Sequence, residues 1–145
     1  MFLFPALEVD FIQISLIAEK LKSGENLALV SDAGHNPPVL KRAGGQACLL
    51  ELPKGFPLGV VDEGEFQDAE FVLGPGDTLL FYTDGVTDAA DDSGATFGTD
   101  RLLATVSSAA PGAKSVVDAV LAATGDFVGL SRPFDDLTMI AVSSK

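Results

Sequence analysis

The sequence predicts an α+β fold, a largely antiparallel sheet followed by helices. Short apolar runs broken by Gly- and Pro-rich turns fill residues 27–82, and helical patterning is concentrated after residue 85. Segregation of that kind argues against alternating βαβ units. With 145 residues, 47% of them hydrophobic, the chain is long enough for one domain with a core and too apolar for disorder.

Residues 1–22 support two readings. Ile12, Ile14 and Leu16 alternate with Gln13 and Ser15 as in a half-buried strand, while Leu7, Phe11, Ile14, Ala18 and Leu21 share one helical face that Gly24 could cap. Leu27-Ala28-Leu29-Val30 reads as a strand. The loop Ala33–Pro38 is rigid because neither Pro37 nor Pro38 can donate to a ladder. Val39-Leu40 and Ala47–Leu52 flank Ala43-Gly44-Gly45, a hairpin tip. Lys54–Gly59 is irregular, Glu70–Leu73 is a strand, and Gly74-Pro75-Gly76-Asp77 turns the chain into the next one.

That next strand, Leu79-Leu80-Phe81-Tyr82, has large side chains at every position and so suits burial on both faces. It stops at Asp84-Gly85, where glycine allows a sharp turn. Beyond it, Thr99–Val106 reads as a helix with Thr99 as N-cap and Asp100 at the positive end of the dipole. Ser115–Asp118 opens a second helix with a capping-box pattern. Its apolar stripe is Val116, Val117, Val120, Leu121, Phe127 and Val128, and Gly125 is expected to weaken or end it early. Leu137–Val142 closes the chain as a strand.

Nine lysines and arginines face 21 aspartates and glutamates, a formal net charge of −12. That excess repels nucleic-acid phosphates and anionic membranes, which argues against both as partners. Cys48 is the only cysteine, so no internal disulfide exists. The apolar start, Met1–Leu7, is short, lacks a preceding basic residue and is interrupted by Glu8 and Asp10. Neither a signal peptide nor a membrane span is expected, and the default location is the cytoplasm.

Two acidic features could carry chemistry. A carboxylate at a strand end, Asp84, can hold a hard cation or simply serve the turn. Asp135-Asp136 precedes the last strand, and adjacent carboxylates favour either solvent or a cation. In an antiparallel sheet these two strand ends can share one edge, giving half of an oxygen-only Mg²⁺ or Mn²⁺ site. His35 is the only histidine, has no cysteine near it, and reads as structural. Gly-x-Ser-x-Gly, Gly-x-Gly-x-x-Gly, a P-loop and EF-hand spacing are all absent.

Six segments then occur together in a family order: Ala33-Gly34-His35-Asn36-Pro37-Pro38; Pro57-Leu58-Gly59; Gly74-Pro75-Gly76-Asp77; Tyr82-Thr83-Asp84-Gly85-Val86-Thr87-Asp88; Phe97-Gly98-Thr99-Asp100-Arg101-Leu102; and Asp135-Asp136-Leu137-Thr138. In this the chain resembles the C-terminal part of the protein phosphatase 2C-type domain. The branch is that of sporulation protein E and the sigma-factor regulatory phosphatases.

The resemblance implies an antiparallel β-sandwich with flanking helices. It also implies a metal-dependent serine/threonine phosphatase that uses two Mn²⁺ or Mg²⁺ ions to activate a water. By motif match Asp84 and Asp135 are ligands of one ion, and Gly85, Asp88 and Asp136 are supporting positions. Where residues 11–30 align they fall on a family hairpin, which favours the strand reading.

The chain also departs from the family. No Asp-Gly precedes Asp84, so the earlier motif that bridges both ions has no counterpart, and residues 1–23 diverge while 24–145 are family-like. The expectation is a single domain, incomplete at its N-terminal side, offering at most one partial ion site. Its enzymatic role is that of the family, a phosphoprotein phosphatase, with little turnover from this chain alone. The implied partner is a phosphorylated regulatory protein such as an anti-sigma-factor antagonist. The alternative is a non-catalytic pseudophosphatase or protein-binding module, with homodimerisation through exposed sheet edges. A third reading, an acidic structural domain without a site, requires the paired aspartate motifs to be accidental.

Overall fold

The computed structural model describes residues 27–30, 36–50, 68–129 and 137–144. In chain order these form β1 (Leu27–Val30), β2 (Val39–Lys41), β3 (Ala47–Leu49), β4 (Asp68–Phe71), β5 (Thr78–Tyr82), α1 (Asp84–Thr87), α2 (Gly98–Ser108), α3 (Ala113–Val128) and β6 (Met139–Ser143). β1 and β4 pair antiparallel, and a second sheet runs β3-β2-β5-β6, antiparallel throughout. Among the described residues five strands come first, the helices follow and a single strand closes the chain, as the sequence predicts.

β5 is central because its residues can be buried on both sides. Val39 pairs with Leu80 and Leu40 with Leu79, so successive pairs point to opposite faces. Val39, Leu80 and Tyr82 join the core beneath the helices. Leu40 and Leu79, on the other face, are 4% and 0% exposed, so that face too is shielded from water. Phe81 alone in β5 is only half-buried.

The helices lie against one face. Val86, Phe97, Leu102, Val106, Val116, Val120 and Val128 fill the layer between α2, α3 and the sheet. Phe97 meets Phe127 edge-on at 5.7 Å. Lys41 buries its stem and donates from its ammonium to the Ala109 carbonyl at the C-terminal end of α2, where the helix dipole favours a cation.

Several boundaries differ from the sequence reading. β4 ends at Phe71, two residues before Leu73. Both helices start earlier than their apparent caps. Phe97 is the residue before α2 and Gly98 turns with φ +75°, leaving Thr99 inside the first turn. Gly112, at φ +104°, precedes α3, and the Ser115–Asp118 pattern falls within the helix. In both cases a glycine in a conformation that other residues rarely adopt sets the start, and no side chain caps it. α3 also continues through Gly125 to Val128, because Gly125 faces solvent and the buried face is uninterrupted. Leu121 is 55% exposed, outside the stripe assigned to it. Among the described residues no helix is long and apolar enough to cross a membrane.

Candidate metal edge of the sheet

At its C-terminal end β5 runs beside the start of β6, with Tyr82 opposite Met139. One step further, the Thr83 N–H donates to the Thr138 carbonyl at 3.1 Å, and the Thr138 N–H donates to the Thr83 hydroxyl at 3.1 Å. Asp84 follows as the first residue of α1, a single turn closed by the Val86 and Asp88 amides donating to the Thr83 and Asp84 carbonyls at 3.0 and 2.7 Å. The Asp-Gly read as a plain turn is therefore a short helical one. Gly85 and Val86 are buried beneath it, while Asp84 and Asp88 are exposed.

The Asp84 carboxylate makes no hydrogen bond or ion pair among the described residues. Asp135 and Asp136 lie outside the described residues, which resume at Leu137 beside this edge. His35 and the Pro57–Gly59 motif also lie outside them. Among the described residues no group of three His, Cys, Asp or Glu side chains could hold a metal together. Among the described residues this edge offers the exposed Asp84 carboxylate, with the exposed Asp88 one helical turn on, and oxygen donors of this kind suit a hard cation such as Mg²⁺ or Mn²⁺.

Asp91 and Asp77 are committed differently. Asp91 accepts from the Ser93 hydroxyl at 2.6 Å and from the Ser93 and Ala95 amides at 2.8 and 3.0 Å, closing the small hairpin in which Ala90 bridges Thr96. The Ser93 bond holds its carboxyl below the ordinary range. Asp77, read in the sequence as a turn residue, is buried and tied to Arg42. Burial pushes the Tyr82 phenol up from its ordinary value. Thr83 carries no role that the sequence alone assigns. Its one signal there is a hydroxyl directly before Asp-Gly.

Residues 10–145 match the stage II sporulation protein E family. The chain belongs to that family. This is the sporulation protein E branch of the phosphatase 2C-type fold, as its motifs imply. Protein IcfG of Synechocystis is 32% identical over 120 residues, covering 83% of this chain and 19% of that protein. The phosphatase 2C domain of sporulation protein E from Bacillus subtilis, solved with a fragment of its regulatory domain, superimposes with a TM-score of 0.65 at 15% identity, over 81% of this chain and 33% of that one. The RsbU and RsbW domains of Rv1364c from Mycobacterium tuberculosis give 0.59 at 26% identity, over 80% and 31%. The chain thus spans about a fifth of the curated relative and about a third of these two solved chains. The likeness of fold agrees with the antiparallel sheets and flanking helices described above.

Proposed function

We propose that this sporulation protein E family chain is part of a metal-dependent phosphoprotein phosphatase, with Asp84 and Asp135 as ligands of one Mn²⁺ or Mg²⁺ ion. The observation that carries the reading is the pairing of Thr83 with Thr138, which sets the end of β5 beside the start of β6. Asp135 stands two residues before Leu137, a reach of at most about 7 Å along the chain. The exposed Asp84 carboxylate, unspent on any described neighbour, suits the role. Support for the metal comes from a sporulation protein E phosphatase domain of the same fold, which was presoaked with manganese.

A bound ion of this kind supplies a water of lowered pKa and a clamp on phosphoryl oxygens. The chain's own part is to fix one carboxylate at a rigid strand end, with Gly85 and Val86 packed beneath it, and to keep the Asp88 and Asp136 positions close in sequence as support. Asp91, already satisfied by its own hairpin, takes no part. One or two carboxylates leave an ion mostly hydrated and loosely held. The chain accordingly acts as a single partial domain, with weak ion binding and negligible turnover. Its substrate class is a phosphorylated regulatory protein such as an anti-sigma-factor antagonist, a reading supported by the likeness to the RsbU–RsbW chain.

Titration with Mn²⁺, read as paramagnetic broadening of the Gly85 and Thr138 amide signals, tests the ion. Broadening that Asp84→Asn abolishes supports the proposal, and unchanged signals overturn it. Robust Mn²⁺-dependent hydrolysis of a phosphoserine peptide, lost in Asp84→Ala, would contradict the expected inactivity of the chain alone.

A second reading is a protein-binding module that docks through its sheet. It is favoured by the position of β3 and β6 at the two sides of the four-stranded sheet, with no further described strand beyond them. Sedimentation at micromolar concentration separates a homodimer from a monomer, and a strict monomer counts against edge pairing.

A further inference from the structure

We infer that Thr83 is a positioning residue for the ion site, a clasp whose hydroxyl holds the start of β6 in register with the strand that delivers Asp84. The inference rests on the metal-dependent reading above.

The argument begins with the ladder. Thr83 and Thr138 are the next antiparallel pair after Tyr82 and Met139, and the Thr83 amide bond at 3.1 Å makes them a hydrogen-bonded pair. Such a pair exchanges two bonds, each residue's N–H meeting the other's carbonyl. Here the second bond cannot form in that way. The Thr83 carbonyl has turned into α1, where it accepts from the Val86 amide at 3.0 Å. The Thr83 hydroxyl takes its place and accepts the Thr138 N–H at 3.1 Å. The pair therefore keeps two bonds where the backbone alone supplies one.

The same hydroxyl forgoes its local use. Thr83 is the N-cap of α1, with extended φ −87° and ψ 160°, a setting in which threonine ordinarily accepts from an amide of the first turn. No side-chain cap bond forms. A contact 55 residues away in sequence has replaced one two or three residues away. The residue so recruited adjoins Asp84 on one side, and its partner lies three residues after Asp135 on the other. Without the hydroxyl, the Thr138 N–H loses its partner on the neighbouring strand, directly beside the residue that delivers Asp84.

Two substitutions isolate this role. Thr83→Val preserves shape and removes the acceptor, and Thr83→Ser keeps the hydroxyl. Hydrogen exchange at the Thr138 amide should be at least tenfold faster in Thr83→Val than in the wild type, and unchanged within about twofold in Thr83→Ser. The Mn²⁺ midpoint for broadening of the Gly85 signal should rise at least fivefold in Thr83→Val and recover in Thr83→Ser, with melting temperatures within a few degrees of the wild type. Thr83→Ala carries the same comparison should the valine variant misfold. Fast exchange at Thr138 with an unmoved Mn²⁺ midpoint overturns the positioning role alone. Slow exchange in both variants overturns the clasp itself. Absence of broadening in the wild type overturns the metal reading, and the positioning role falls with it, while the exchange data still report on the clasp.

Discussion

Asp77 and Arg42 meet at 2.5 Å where the Gly74–Asp77 turn feeds β5, and the contact straps that turn to the β2–β3 hairpin. Asp77 also accepts the Ala43 amide at 2.8 Å and the Gly74 amide at 2.9 Å, while Arg42 reaches on to the Val72 carbonyl at 2.8 Å. The aspartate is 4% exposed. Burial by itself raises its pKa, but the Arg42 bond and the two backbone donors outweigh it and hold the carboxyl below the ordinary range.

A folded-state pKa below the unfolded one means that the ionised form stabilises the fold. The contribution of Asp77 is therefore fully present above its unfolded pKa of about 3.9 and is lost as pH falls through the folded value. In Asp77→Asn the bond from Arg42 loses its charge and one of the two carboxylate acceptors becomes a donor. Unfolding in urea at pH 7 should show a loss of about 2–3 kcal/mol. The gap to the wild type should narrow as the pH is lowered below the unfolded pKa and through the folded one. Arg42→Ala should cost less, about 1 kcal/mol, because its side chain is half exposed and the two amides still hold Asp77.

Thr78 and Thr124 carry hydroxyls that are buried and without a hydrogen-bond partner among the described residues. A buried polar group left unpaired is a net cost, and valine has nearly the same shape. Thr78→Val and Thr124→Val should each raise stability by about 0.5–1.5 kcal/mol in chemical unfolding. Thr78 lies in β5 between Lys41 and Ser143, where a β-branched residue is retained by the change, so the strand should not suffer.

How much of this could be read in the sequence depends on the range of the interaction concerned. The central strand was legible because an unbroken apolar run admits few placements, and the hairpin tip because Gly44 needs its positive φ of 68°. The helix starts misled because Thr99 and Ser115 have cap-like sequence neighbours, whereas the turns are made by Gly98 and Gly112. Leu121 fell on the stripe by periodicity alone, and nothing local distinguishes a residue at the margin of a helix–sheet contact from one inside it. Asp77 looked like an ordinary turn acid since its partner Arg42 is 35 residues away. Thr83 is the clearest case: its local context suggests a cap, and only the register with β6 reveals where its hydroxyl goes.

Arg101 joins three features of the helical layer. Its guanidinium donates to the Thr96 and Phe97 carbonyls, each at 3.0 Å, and lies 4.7 Å from the Phe127 ring centroid. It thereby ties the 90–96 hairpin and the start of α2 to α3. A planar fork that stacks and donates twice has no equivalent in lysine. Arg101→Lys should recover little of the roughly 1 kcal/mol lost in Arg101→Ala. A double-mutant cycle with Phe127→Leu should give a coupling of about 0.5–1 kcal/mol, and additive losses would show that the stacking contributes nothing.

Asp84 and Asp77 stand seven residues apart at opposite ends of the same strand, and their substitutions should behave oppositely. Asp77 is buried and fully bonded, so its loss is felt in folding. Asp84 is exposed and its carboxylate makes no bond among the described residues, so Asp84→Asn should leave metal-free stability within about 0.5 kcal/mol of the wild type. Its effect should emerge only with the ion. Millimolar Mn²⁺ should raise the melting temperature of the wild type and not that of Asp84→Asn, because an ion that binds only the folded state stabilises it the more its concentration exceeds the Kd. An equal rise in both proteins would assign the ion to another site, and a large metal-free loss in Asp84→Asn would make this carboxylate a structural one.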